Sequence, residues 1–202
     1  MFVDLNQHGV KPARSLRLFY DGRDEEARLS RAVADAIPLF RDMTDFTRSN
    51  LTAGSRKLFS FSNLHTAVST LVAEASLTAT AEDPGLAVDF WNAVIDNMPD
   101  WSAARRREVA PSELRRDTIH AHGIALEAIA VAGARMMNED PSGWRKSLLA
   151  LREIDWSRSN VEAWEGRALS NGRINRSRTS ILLTADLISR SIPREEDDAG
   201  LR

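Results

Sequence analysis

A chain of 202 residues suits one domain and is long enough to bury a real core. It holds no cysteine, which excludes a disulfide framework, a thiolate nucleophile and a cysteine-ligated metal; no apolar run approaches the roughly eighteen residues needed to cross a bilayer. The net charge of −2 and pI of about 6.1 argue against a protein that coats nucleic acid indiscriminately, so a soluble, cytoplasmic protein with no membrane contact is expected.

The first segment is dense in mixed polar side chains. Asp4, Asn6, Gln7, His8, Lys11, Arg14 and Ser15 fall within twelve residues, separated by Leu5, Val10 and Pro12. Neither a basic n-region nor an apolar h-region marks it as a targeting signal, and it is too hydrophobic for a linker. Leu16 to Tyr20 is a candidate strand, so the N-terminus reads as a short extended segment.

Helical period dominates thereafter. From Glu25 to Phe40, Leu29, Val33, Ala36, Ile37 and Phe40 recur at three- and four-residue steps, with Pro38 expected to kink or stop the helix. Asn63 is a candidate N-cap for a helix from Leu64 to Ala79. After Pro84-Gly85 a third helix is expected from Leu86 to Met98, closed by Pro99. Pro111 precedes another start. Thr118 is a candidate cap for the stretch Ile119 to Met137, apolar almost all the way round and so expected at the centre of a bundle. Shorter helices are expected from Trp144 to Ile154 and from Thr179 to Ser191, separated by the tight-turn signal Asn171-Gly172, with a short strand beside Gly172. The predicted fold class is mainly α: a multi-helix bundle spanning 1–192, followed by an acidic tail at 193–202 expected to fray.

The chemistry-bearing motifs are few. No Gly-rich phosphate loop and no Gly-x-Ser-x-Gly elbow occurs, so a self-contained enzyme is poorly supported. His120 and His122, two residues apart on an expected helix, would point about 200° from one another. HExxH is absent, and no metal or cofactor is expected. His65 reads as a helix-packing residue, Trp91 as core, and Trp156 and Trp164 as pins for a loop. Of the 27 basic residues, 24 are Arg and three are Lys, a bias that either phosphate or carboxylate recognition or high-GC coding produces. One cluster is Arg105-Arg106-Arg107 with Arg115-Arg116; another is Arg167, Arg173, Arg176 and Arg178 among Asn171, Asn175, Ser177 and Thr179. Arg mixed with small hydroxyl and amide donors ahead of a helix suits phosphate contact. Glu108, Glu113 and Asp117 leave a salt-bridged face open as the other reading of the first cluster.

The run Phe2-Val3-Asp4-Leu5-Asn6-Gln7-His8-Gly9-Val10-Lys11-Pro12-Ala13-Arg14-Ser15-Leu16, followed by Tyr20-Asp21, resembles the start of the C-terminal half of the DndB proteins. These are the DNA sulfur modification (phosphorothioation) proteins of the DGQHR-domain family. Ile154-Asp155-Trp156-Ser157, Asn160, Trp164-Glu165-Gly166 and Gly172-Arg173-Ile174 match further along, as does Leu182 to Ile188. A weaker match runs from Ser55 to Ser60. The Asp-Gly-Gln-His-Arg signature itself is absent; Asp21-Gly22-Arg23 is not it.

The resemblance implies the C-terminal part of a larger α/β-plus-helical protein, either a fragment or a start at an internal Met. It further implies a DNA-binding transcriptional repressor of the operon for phosphorothioate modification and its linked restriction. The expected partners are the operon promoter DNA, DNA-modification or restriction proteins, and a second copy of the chain. Arg105, Arg106, Arg107, Arg173, Arg176 and Arg178 are the expected DNA contacts, and Asp4, Asn6, Gln7, His8, Lys11 and Arg14 a family-motif site. Two other readings are a non-catalytic part of a nuclease or nucleotide-hydrolysing defence complex, and a helical protein-docking module.

Overall fold

The computed structural model describes residues 12–191. In chain order the described elements are α1 (Arg14–Tyr20), α2 (Glu25–Ala36), α3 (Pro38–Met43), β1 (Thr44–Asp45), β2 (Phe59–Ser60), α4 (Phe61–Glu74) and α5 (Gly85–Asp96). There follow α6 (Pro99–Arg105), α7 (Pro111–Asp117), α8 (Gly123–Glu139), α9 (Trp144–Ser147), a 3-10 turn (Leu148–Arg152) and α10 (Val161–Trp164). β3 (Leu169–Ser170), β4 (Arg173–Ile174) and α11 (Arg178–Arg190) complete them. The fold is mainly α. The strands form two minimal pairs: β1 beside β2 in parallel, Thr44 opposite Phe59, and the β3–β4 hairpin, Leu169 opposite Ile174.

Helix α8 is the axis. All its residues from Gly123 to Leu126 and from Ala128 to Ala134 are buried, with Met136 and Met137, so this helix has no wet face over most of its length. A helix apolar all round must be wrapped on several sides; α4 and α11 pack along it, and α2 packs on α4. Small residues make the close approaches possible. Gly133 carries no Cβ because one would lie 2.2 Å from the Phe90 ring of α5. Phe90 in turn contacts Trp91 and Trp144 at centroid distances of 5.2 and 5.8 Å.

Leu16 to Tyr20 is not a strand but the body of α1, because Ser15, Leu18 and Phe19, at helical spacing, face the interior. The helix begun at Glu25 ends at Ala36, and Pro38 opens α3 as its first residue, where a missing N–H costs nothing. Pro99 likewise opens α6. Asn63 is not a cap: α4 starts two residues earlier, after Ser60, and ends at Glu74 ahead of Ser76 with φ of 51°. Thr118 closes α7, its hydroxyl donating to the Leu114 carbonyl at 2.7 Å, and α8 begins only at Gly123. The hairpin turn falls at Asn171-Gly172, as its sequence demands, with φ of 50° and 69°.

Ser60 makes no side-chain cap bond to α4. The fully buried Ser15 does that work from another helix: its hydroxyl accepts from the Ser62 N–H at 3.1 Å and donates to the Arg48 carbonyl at 3.1 Å, while its own N–H donates to Ser49 Oγ at 2.8 Å. One side chain thus ties α1, α4 and the 46–58 loop together. Ser15→Ala is expected to cost about 1–3 kcal/mol, since it strands a buried N–H and a carbonyl at once; equilibrium urea unfolding measures it, and a loss within a few tenths of a kcal/mol would refute the cross-helix cap.

Candidate functional site

The side chains of the second arginine cluster divide. Arg167 turns inward and donates to the Glu162 and Ala163 carbonyls at 3.2 and 2.9 Å, capping the short α10. Arg173 is exposed on β4 with no ion-pair partner among the described residues. Arg176 bonds Asn63 Oδ1 of α4 and reaches Glu127 Oε2 of α8 at 3.2 Å. Arg178, its side chain 82% exposed, stands 3.8 Å from Glu74 Oε1 at the first position of α11. Ser177 caps that helix by accepting from the Ser180 N–H at 3.1 Å, and Asn175 Oδ1 accepts from the Ser177 N–H at 3.1 Å. The small polar residues read from the sequence as phosphate donors are therefore, in part, the caps that hold the arginines in place.

Arg176 and Arg178 meet Arg14 of α1 in a groove of about 650 Å3. Glu26, Glu74 and Glu127 share it, so it is charged in both signs. A second concavity of about 510 Å3 continues past Arg14 and Arg176, which line both, to Asn63, Arg115, His122 and Gly123. Nothing in the sequence joins Arg14 to Arg176, 162 positions away; only the packing of α1 and α11 around α4 and α8 does so. Asp4, Asn6, Gln7, His8 and Lys11 lie outside the described residues, so of the family-motif set Arg14 alone is placed.

The first arginine cluster stands apart and is largely engaged. Arg105 pairs with Asp42 at 2.7 Å, and Arg106 holds Glu108 through two bonds at 2.7 and 2.8 Å. Arg116 does the same with Asp117. Arg107, in the left-handed region at φ of 65°, is exposed without an ion-pair partner among the described residues. Arg105 and Arg106 line a shallow concavity of about 230 Å3 that shares no residue with the Arg14–Arg176 groove.

Arg115 was not distinguished from its neighbours by the sequence, yet it behaves differently. Its guanidinium is partly buried and donates to four backbone carbonyls: Lys57, Thr52 at 3.2 Å, Ala53 at 3.1 Å and Ser55 at 2.9 Å. No carboxylate accompanies it among the described residues, and burial lowers its pKa from the usual arginine range. The phase of α7 was the available signal: Leu114 is buried, so its neighbour lies at the edge of the interface.

The three described histidines are structural in their bonding. His65 bonds Ser30 Oγ through Nδ1 at 3.1 Å between α2 and α4, as a packing residue should. His120 and His122 precede α8 rather than lying on it, so the helical-angle argument does not apply to them. Trp101 Nε1 donates to His120 Nδ1 at 3.0 Å, which leaves Nε2 facing Asp100 Oδ2 at 3.0 Å. That bond holds the Asp100 carboxyl below the ordinary carboxylate range. His122 donates from Nε2 to the Arg115 carbonyl at 2.7 Å, and burial, aided by the charges of Arg158 and Arg115, pushes its pKa down to about 4. Among the described residues no group of three His, Asp or Glu side chains is placed to hold a metal ion. Trp156 and Trp164 stack at 5.2 Å and donate to the Leu151 and Asp155 carbonyls, which commits both indoles to pinning the 151–164 loop.

These features define a mainly helical protein with an arginine-lined groove at the junction of its first and last described helices; no described helix is long and apolar enough to span a membrane. The chain belongs to the DndB family, described as DNA-sulfur modification-associated, which matches residues 1–193. No curated protein and no solved structure matches it significantly. The family places the protein in DNA sulfur modification.

Proposed function

We propose that this chain is a DNA-binding transcriptional regulator that represses the operon for DNA phosphorothioate modification and its linked restriction, acting in the cytoplasm on the operon promoter. The observation that carries the reading is the convergence of Arg14, Arg176 and Arg178 on one groove, with Arg173 exposed on the hairpin that leads into it. Guanidinium groups held by caps and side-chain bonds form a positioned set of phosphate donors, and positioned phosphate contacts fix register on a duplex. Arg173, which has no ion pair among the described residues, and Arg178, 82% exposed and 3.8 Å from Glu74, rank above Arg105 and Arg106, which pair with Asp42 and Glu108 at 2.7 Å; Arg176 shares its charge with Glu127, and Arg107 is the member of the first cluster left to reach a backbone. The reading assigns no catalytic residue; His120 is held between Trp101 and Asp100. A second copy of the chain and the modification or restriction proteins are the proposed protein partners.

Fluorescence anisotropy with duplex from the chain's own upstream promoter, against scrambled duplex at two salt concentrations, tests this. Tighter promoter binding at both salts is expected. Each of Arg173→Gln and Arg178→Gln should weaken binding to both duplexes alike and lower the salt slope by about one. Equal affinity for the two duplexes would remove operator recognition from this chain.

A further inference from the structure

The concavity of about 510 Å3 beyond Arg14 differs from its neighbour in one respect. The neighbouring groove sets three glutamates against three arginines, whereas this one has Arg14, Arg115, Arg176 and His122 on its lining and no Asp or Glu among its described residues. Arg176 has Glu127 behind it, but Arg14 and Arg115 have no carboxylate partner among the described residues. For the exposed Arg14 that is unremarkable; for Arg115 it is not. A half-buried guanidinium has lost much of its hydration, and the carbonyls of the 52–57 segment supply dipoles rather than a counter-charge.

A second positive element opens at the same place. The seventeen-residue α8 begins at Gly123, and its N-cap, His122, makes no side-chain cap bond. The N–H groups of Gly123 and Ile124 have no hydrogen-bond acceptor among the described residues. Both His122 and Gly123 line the concavity. The unfilled N–H of Gly123 and the positive end of the longest described helix thus lie at the same space as three guanidiniums. Asn63 is locked beside Gly123, where a Cβ would come within 2.6 Å of its amide, so this part of the lining is fixed before any ligand arrives.

We infer that this concavity is a binding site for a phosphate monoester, whose dianionic head is the missing counter-charge of Arg115 and of the α8 N-terminus. Three guanidiniums favour a dianion over a carboxylate. The volume exceeds what a bare phosphate needs and falls in the range of small-molecule sites. Leu51 and Ile174 give the organic part an apolar wall, and Asn50 and Asn63 give it hydrogen-bonding partners. The inference goes beyond promoter recognition and holds whether the ester is a free nucleotide or a phosphorylated DNA end.

The test is isothermal titration of the full chain with AMP, with adenosine as the uncharged control. AMP is expected to bind with Kd of about 1 mM or tighter and adenosine not to bind. Arg14→Gln removes an exposed side chain with no ion pair and should weaken AMP at least about tenfold without changing stability; Arg115→Gln is avoided because it strands four carbonyls. As an independent readout, the NMR titration midpoint of His122 should rise on adding AMP, since an anion beside the ring favours its charged form. Absence of AMP binding, equal binding of adenosine, or AMP affinity unaltered in Arg14→Gln would each overturn the inference. A 5′-phosphorylated oligonucleotide that competes with AMP, where its unphosphorylated twin does not, identifies a DNA end as a source; failure to compete leaves the free ester. Promoter duplex that fails to bind while AMP binds would defeat the regulator reading and leave this site standing.

Discussion

Gly133→Val is expected to destabilise the chain by about 3 kcal/mol and to lower its melting temperature by about 6–12 °C. A first methyl carbon at this position would lie 2.2 Å from Cε2 and Cζ of Phe90. Retreat of the ring is blocked, because Phe90 is fully buried between Trp91 and Trp144. The sign for Gly133→Ala is the sharper test. In an unconstrained helix interior that substitution stabilises by about 1 kcal/mol, as alanine restricts the unfolded chain. Here overpacking should exceed that gain and make alanine a net loss. Phe90→Leu, which shortens the opposing side chain, should recover part of the loss in the double variant, a coupling that thermal or urea unfolding of the four proteins measures. An alanine variant more stable than the parent would mean that α5 and α8 are not in contact as described.

That contact also shows which parts of the fold the sequence discloses. The central role of α8 is legible, since an Ala-rich segment apolar on every side has no stable position except inside a bundle. Prolines 38, 99 and 111 are legible as boundaries, although at the first two the local pattern marks a stop where the chain in fact starts anew; periodicity locates a break without saying which side of it is helical. The misread caps have separate causes. α4 is capped by Ser15, 47 residues upstream, so neither Ser60 nor Asn63 carries the signal a local cap would. Thr118 has a capping side chain but spends it on the carbonyl end of α7. For the site, Arg173, Arg176 and Arg178 are visible as a polar cluster ahead of a helix. Their junction with Arg14, and the solitary charge of Arg115, depend on how α1, α7 and α11 pack. Residue type alone leaves Arg115 and Arg116 equivalent, yet one is anchored beneath a loop and the other is paired with Asp117 at the surface.

Stability is expected to fall by about 3 kcal/mol as the pH is lowered from about 6.5 to about 4, and His122 is the principal reason. In the unfolded chain this histidine titrates near 6.5, whereas in the folded protein burial holds it at about 4. A folded-state value below the unfolded one means that the unfolded chain binds the proton first. Above pH 6.5 neither state is protonated and no linkage arises. Between the two values the unfolded state is favoured by at most about 1.4 kcal/mol for each pH unit, and below about 4 the loss is complete. His65 acts in the same direction, its pKa also lowered by burial. The carboxylates held low in the folded state, Asp42, Asp45 and Asp100, have the opposite ionic sense but also lose stability on acidification. Their window opens below about pH 5, where unfolded aspartate begins to protonate, so between pH 7 and 5 the histidine contribution acts almost alone. Urea unfolding at pH 7, 6 and 5 should therefore show a slope in the parent that His122→Gln largely flattens, because glutamine stays neutral throughout and its amide can donate to the Arg115 carbonyl. A slope that survives that substitution would place the linked proton elsewhere.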